Sequence, residues 1–108
     1  MYSLNEIATE KIVALQDKAR NEPRDLYDLW FLTSHAGVYI GPLIEAVTKK
    51  IRFREKDPTG IEDRILAKEA RLNALWNGRL GHQMEALPQY DEVFRTVRRE
   101  LRQAAFPK

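Results

Sequence analysis

The chain contains no cysteine, and this removes a disulfide framework, a thiolate metal site and a thiol nucleophile together. Such a sequence suits a reducing compartment, and a cytoplasmic location is the expectation. Histidine is nearly as scarce. His35 and His82 fall on different segments with no histidine or carboxylate at zinc-ligand spacing, so no metal site is expected from them. Ser34 beside His35 cannot form a triad, because successive helical residues diverge. Long apolar runs are missing as well. The longest stretch without Asp, Glu, Lys or Arg runs from Leu29 to Ile44, is interrupted by Gly37, Gly41 and Pro42, and falls short of the roughly 20 residues that span a bilayer. Glu6, Glu10 and Lys11 break up the first turns, so neither a membrane segment nor a signal peptide is expected. The net charge of +2 is too small to argue for a nucleic-acid partner by itself. There is no internal repeat, no low-complexity segment, and no strand alternation beyond Gly37 to Ile40, which is too short to support a sheet.

What remains is a helical pattern. A length of 108 residues fits one domain, residues 1–108, with enough chain for a single core. Ser3 with Glu6 three residues on has the form of a capping box, and opens a first helix expected to reach about Arg20. Asn21 to Pro23 form a break, and Pro23 fits the first turn of a second helix ending near Ala36 and Gly37. Gly41 and Pro42 open a third, through about Arg54, with Leu43, Val47 and Ile51 on one side. A fourth is expected from Ile61 to Asn77, with Gly78 and Gly81 in a loop. The last starts near Gln89, where Tyr90, Val93, Phe94, Val97, Leu101 and Ala104 repeat at three and four. The expectation is an all-α, compact bundle of about five helices.

Charge sits where this pattern calls for apolar side chains. At about 100° per residue, Leu4, Ile7, Ala8, Ile12, Ala14 and Leu15 occupy an arc of about 160°, and Lys11 projects from inside it. On the second helix Asp25 falls between Leu29 and Leu32, with Asp28 one turn along at the stripe's edge. The short connection makes the two helices antiparallel neighbours and places Lys11 within easier reach of Asp28 than of Asp25. A lone buried ammonium or carboxylate costs several kcal/mol, so these groups are paired, hydrated or facing a ligand. A structural ion pair is one reading. A ligand pocket is the other, with lysine suited to phosphate oxygens and a carboxylate to a proton, a hydroxyl or a metal. Arg24 flanks the same place, able to clamp phosphate or to pair with Glu22.

These residues carry a resemblance. The stretch EKIVALQDKARNEPRDLYDLWFL resembles the C-terminal signature of the AbiEii/AbiGii toxin family of nucleotidyltransferases. That pattern is Glu-Lys followed by alanine and leucine, a basic turn, then Arg-Asp-x-x-Asp and a hydrophobic run. Glu10, Lys11, Ala14, Leu15, Arg24, Asp25, Asp28 and Leu29 to Leu32 stand at those positions, and Leu87, Pro88 and Tyr90 resemble the entry to the family's final helix. The resemblance implies a two-part site. An N-terminal half holds a Gly-Ser turn and metal-binding carboxylates, the helical half supplies lysine and an acid, and a nucleotide passes from a nucleoside triphosphate to an acceptor, in some members the end of transfer RNA. It implies Lys11, Asp25 and Asp28 as catalytic residues, Lys11 and Arg24 as phosphate contacts, and Mg²⁺ with a nucleoside triphosphate for a complete member. A cognate antitoxin, or the half that is missing here, is the implied partner.

The sequence departs from the family pattern in having no Gly-Ser dipeptide and no Asp-x-Asp. The metal-binding half is therefore expected to be absent, the chain inactive alone, and no cofactor held by it. Glu62 and Asp63 are adjacent on a helix and point apart, as solvated charges near its start do. Two basic features remain: Lys49, Lys50, Arg52, Arg54 and Lys56 crowd the end of the third helix, and Arg95, Arg98, Arg99 and Arg102 make a stripe on the last. Each is either a solvated face or a contact for nucleic-acid phosphate. An Arg-rich noncatalytic module binding nucleic acid or a partner protein through Arg95 to Arg102 is the alternative function, and a homodimer through surfaces made for a missing half is a third. Phe53 can stack on a base, although core packing is the expectation for it, as for Trp30 and Phe31.

Overall fold

A computed structural model describes residues 3–107. The described residues hold six α-helices, in the order α1 (Leu4–Gln16), α2 (Pro23–His35), a 3-10 turn (Gly41–Leu43) running into α3 (Ile44–Phe53), α4 (Ile61–Leu66), α5 (Glu69–Leu80) and α6 (Tyr90–Ala104). No strand occurs among them. The all-α expectation therefore holds, with six helices in place of five.

The extra helix comes from Lys68. Ile61 and Ile65 face the core, as do Leu72, Trp76 and Leu80, but the inward position between the two sets falls on this lysine. The chain breaks there, at φ −88° and ψ 3°, and the buried ammonium donates to the carbonyls of Asp17 and Arg20. Downstream, α5 runs through Gly78 where a loop was expected. A glycine inside a helix costs about 1 kcal/mol, whereas burying a leucine side chain contributes about 1.5–3 kcal/mol, and Leu80 is buried one turn beyond Trp76. Burial wins.

The capping box at Ser3 is present, with Ser3 Oγ accepting from the Glu6 amide at 3.1 Å and Glu6 Oε1 from the Ser3 amide at 3.5 Å. Helix α1 stops four residues short of Arg20. Asp17 leaves helical geometry at ψ 118° and turns its carboxylate onto the Ala19 amide at 3.0 Å, a local bond that competes with the helix. At the other end of the hairpin, α2 ends as expected, Gly37 taking φ +73° just past Ala36. Helix α3 ends in a Schellman arrangement, Lys56 N–H bonding Ile51 O at 3.1 Å and Glu55 N–H bonding Arg52 O at 2.9 Å. Its left-handed position holds Glu55 at φ +58° where glycine is usual.

Helix α1 packs on α2, α3 and α4, while α2 also meets α5 and α6, so the α1–α2 hairpin lies at the centre of the packing. The Cα radius of gyration is 13.2 Å, that of a compact globule of about 100 residues. Among the described residues no helix is long and apolar enough to cross a membrane. The amphipathic α6 buries Tyr90, Val93, Phe94, Val97 and Leu101. Trp76 donates its indole N–H to Pro88 O at 3.0 Å and meets the Tyr90 ring edge-on at 5.4 Å.

Tyr90 adds a pH dependence. Its hydroxyl donates to Glu69 O at 2.8 Å, and burial, with Glu69 and Asp91 adding to it, pushes its pKa above the ordinary 10.0. The folded state therefore resists ionisation where the unfolded chain begins to ionise, so stability is complete below pH 10 and falls above it, by up to about 1.4 kcal/mol per pH unit. Denaturant titrations at rising pH should show this loss in the parent chain and a smaller one in Tyr90→Phe.

Candidate active site on the hairpin of α1 and α2

Pro23 at the first position of α2, with Glu22 accepting from the Arg24 amide at 3.2 Å, fixes where this helix starts. Asp25 thereby lands at its third residue, near the positive end of the helix dipole, and on the buried side. The Asp25 side chain is 3% exposed. Its carboxylate accepts from Arg20 Nε at 2.7 Å, Arg20 Nη2 at 3.4 Å and Lys11 Nζ at 3.4 Å. Asp28 one turn later accepts from Lys11 Nζ at 2.9 Å and Arg24 Nε at 3.0 Å. Lys11 bridges both acids, with the shorter contact to Asp28 that the hairpin geometry requires.

Lys11 does not point into the core. The buried residues of α1 are Ala8, Thr9, Ile12, Val13, Leu15 and Gln16, so the inward face is rotated away from the arc drawn on apolar residues alone. Thr9 explains part of the difference, because its hydroxyl donates to Asn5 O at 2.8 Å and is satisfied in the interior. Leu4 is correspondingly exposed. Lys11 stands at the rim with its side chain 26% exposed. Burial pulls its pKa down, but the hydrogen bond and charge of Asp28, and then of Asp25, outweigh that and hold it above 10.5. It is a fixed cation with one side open to solvent.

Arg24 does not pair with Glu22 through its side chain. Its guanidinium pairs with Asp28, reaches Gln83 Oε1 at 3.2 Å and lies 5.9 Å from the Tyr27 ring centroid, while the Glu22 carboxylate also takes Arg79 at 3.3 Å. Glu10 of the motif points elsewhere and ties α1 to α3 through Lys50 at 2.6 Å. Two residues escaped sequence reasoning. Arg20, expected at a helix end, is the principal partner of Asp25, and that hydrogen bond raises its pKa; a cation just ahead of a buried carboxylate was the available signal. Lys68 gave none, being one charged residue in a helix expected to run unbroken from Ile61 to Asn77. Its ammonium clamps the two carbonyls of the turn 17–20 that carries Arg20, and burial lowers its pKa below 10.5.

Lys68→Met keeps the aliphatic stem and loses both bonds, so a cost of about 1–3 kcal/mol is expected. Because the folded pKa is depressed, the parent's advantage over this variant should grow as pH rises toward 10.5. Denaturant melts of both chains at neutral and alkaline pH measure it.

The other sequence candidates stay apart from this cluster. Arg99 lies 3.9 Å from Glu100 and Arg102 4.0 Å from Glu62, and no hydrogen bond or ion pair of Lys11 or Asp25 involves the α6 stripe. His35 packs against Trp30 and Phe31 at 5.1 and 5.3 Å. Phe31 is 46% exposed and Phe53 90% exposed, against the expectation of core packing, and Trp30 is half-buried. Both exposed rings lie on the outward side of helices whose inward stripes are filled by Leu29 and Leu32 on α2, and by Val47 and Ile51 on α3.

A cation held between two aspartates at a helix hairpin, in the order Lys, Arg-Asp-x-x-Asp, is therefore what the motif builds. The family model for the nucleotidyl transferase AbiEii toxin, Type IV TA system, matches residues 1–100. The chain belongs to the AbiEii family. Among curated proteins and among solved structures, nothing matches it. The family match extends over α1 to α5 and most of α6, so the Lys11 cluster and the bundle that holds it belong to one family unit.

Proposed function

We propose that the chain is the C-terminal helical domain of an AbiEii-type nucleotidyltransferase toxin, and that it lends Lys11 to a transfer site completed by a metal-binding half from elsewhere. The observation that carries this reading is the Lys11 cluster itself, a rim cation positioned by two aspartates within a chain of that family. Lys11 and Arg24 are the phosphate contacts. Each gives a donor to Asp28 and keeps a side open to solvent, so a triphosphate oxygen can take over those donors without unfolding either helix. Bound there, the nucleoside triphosphate would supply the nucleotide that is transferred. Asp25 positions Lys11 and Arg20 and is a positioning residue, since its oxygens are consumed inside the protein.

The residues present do not fit Mg²⁺. Among the described residues no group of three His, Asp or Glu side chains could hold a metal ion, and the carboxylates of Asp25 and Asp28 already face cations. The family description names a toxin–antitoxin system. A cognate antitoxin is accordingly the proposed protein partner, a cytoplasmic location the proposed setting, and an RNA end the proposed acceptor.

The test is reconstitution. A family catalytic half carrying the Gly-Ser turn and metal-binding acids, joined to or mixed with this chain, should transfer a labelled nucleotide, and should lose that activity with Lys11→Ala. Transfer at the parent rate by the Lys11→Ala assembly would sink the assignment.

A further inference from the structure

Lys68 is the only lysine buried among the described residues, and no carboxylate there lies within ion-pair distance of it. Its acceptors are the carbonyls of Asp17 and Arg20, and the Arg20 amide donates to that same Asp17 carbonyl at 3.1 Å. Both ends of the turn 17–20 are tied to one point. Burying a cation against neutral acceptors is a poor source of stability, because an apolar side chain in such a place is often as good or better. What the lysine supplies is a fixed turn.

That turn launches the Arg20 guanidinium at Asp25. Arg20 takes Asp25 Oδ2 alone, at 2.7 Å from Nε, and shares Oδ1 with Lys11, Nη2 and Nζ each standing at 3.4 Å. The buried carboxylate is therefore held chiefly from the turn, and Lys11 keeps its short contact, 2.9 Å, for Asp28 at the rim.

The two acids differ in what they need from Lys11. Asp28 is partly solvated and has a second cation in Arg24. Asp25 is 3% exposed, and among the described residues Arg20 and Lys11 are its only ion-pair partners. Without Arg20, a buried negative charge would fall to Lys11 alone. The ammonium would then close on Asp25 toward the roughly 2.7–2.9 Å of a charge-assisted bond, leaving Asp28 to Arg24 and turning away from solvent.

We propose that Arg20, aimed by Lys68 through the turn 17–20, is a positioning residue for Lys11: by satisfying Asp25 it keeps the ammonium at the rim, open to an anion. Lys68 acts one step further back, through Arg20. The consequence for nucleotide transfer rests on Lys11 being the phosphate contact proposed above, whereas the position of Lys11 is measurable in the chain alone.

The experiment is amine labelling of the full chain with N-hydroxysuccinimidyl acetate at low conversion. Peptide mass spectrometry gives the rate at Lys11 relative to that at Lys49, whose side chain is 76% exposed. The reagent attacks the neutral amine, so an ammonium drawn onto a buried carboxylate reacts more slowly, by up to about tenfold for a pKa rise of one unit. Arg20→Ala should accordingly slow labelling of Lys11 by about two- to tenfold. Lys68→Met should do the same. Lys68→Gln, a shorter side chain that keeps two amide donors, should fall between Lys68→Met and the parent. Joining Lys68→Met to Arg20→Ala should add nothing, because one acts through the other.

The sign separates positioning from stability, since a loosened fold exposes Lys11 and speeds its labelling. Arg20 is 52% exposed, so its replacement spares the core, and a thermal melt confirms that each variant is folded at the labelling temperature. Labelling of Lys11 in folded Arg20→Ala at the parent rate or faster overturns the proposal. Slower labelling in Arg20→Ala with the parent rate in both Lys68 variants overturns the part given to Lys68. Reconstituted transfer is the second arm: Arg20→Ala should lower kcat/KM in the parent assembly and change nothing further in one carrying Lys11→Ala. Slower labelling with transfer at the parent rate would uphold the positioning of Lys11 and remove Lys11 from the transfer site.

Discussion

Asp25→Ala is expected to lower the unfolding free energy by about 3 kcal/mol, measured by urea denaturation at neutral pH. Breaking a buried ion pair costs about 3–5 kcal/mol when the surviving charge is left uncompensated in the interior. Here the survivors lie at the rim. Arg20 is 52% exposed and can return to water, while Lys11 keeps Asp28 at 2.9 Å. The loss therefore falls at the low end of that range and consists of the bidentate Arg20 contact, the negative charge in the first turn of α2, and a small cavity among Leu26, Leu29 and their neighbours. Asp28→Ala is the control. Its side chain is 24% exposed and its partners are partly solvated, so a cost under about 1 kcal/mol is expected, as for exposed pairs. Equal stability of the two variants would refute the division between them. Asp25→Asn should recover the cavity term and not the charge, because its amide nitrogen or oxygen must still face two cationic donors.

This division shows how far the sequence could be read. Motif and periodicity together located Lys11, Asp25 and Asp28, because charges inside an apolar stripe are conspicuous and because the break at Asn21 to Pro23 forces the two helices side by side. The order of the two aspartates was legible, Asp25 inside the stripe and Asp28 at its edge, but the rim position of Lys11 was not. That position depends on which way α1 is rolled about its axis, and the roll is decided by Thr9, Val13 and Gln16, two of them polar residues that enter the core with their hydrogen bonds satisfied. A hydrophobicity pattern counts them as outward. The helix division at Lys68 was hidden for the same reason: a lysine takes an inward position there only because the carbonyls of Asp17 and Arg20, some fifty residues earlier, are within reach. Phe53 is the converse case. Nothing local forbids its burial, but Val47 and Ile51 already supply the inward stripe of α3, and the ring is left outside.

Lys11→Ala should then separate chemistry from folding, which Asp25→Ala cannot do. The lysine is a rim group, and removing it leaves Asp25 with Arg20 and Asp28 with Arg24. Both acids stay paired. Its stability cost should accordingly remain within about 1 kcal/mol, and the melt of the variant should overlie that of the parent closely. Transfer by the reconstituted enzyme should nevertheless fall by about 10²–10³-fold, the range for deleting one preorganised donor aimed at developing charge. Lys11→Arg should recover part of the loss at most. A guanidinium forks toward two oxygens where an ammonium meets them as a point, and between Asp25 and Asp28 the fork is drawn to the carboxylates it can bridge. If instead Lys11→Ala lost activity and stability in parallel, Lys11 would be a structural tie between α1 and α2. If Lys11→Met stayed folded and inert while Lys11→Arg regained partial transfer, the positive charge at the rim would be what the reaction uses.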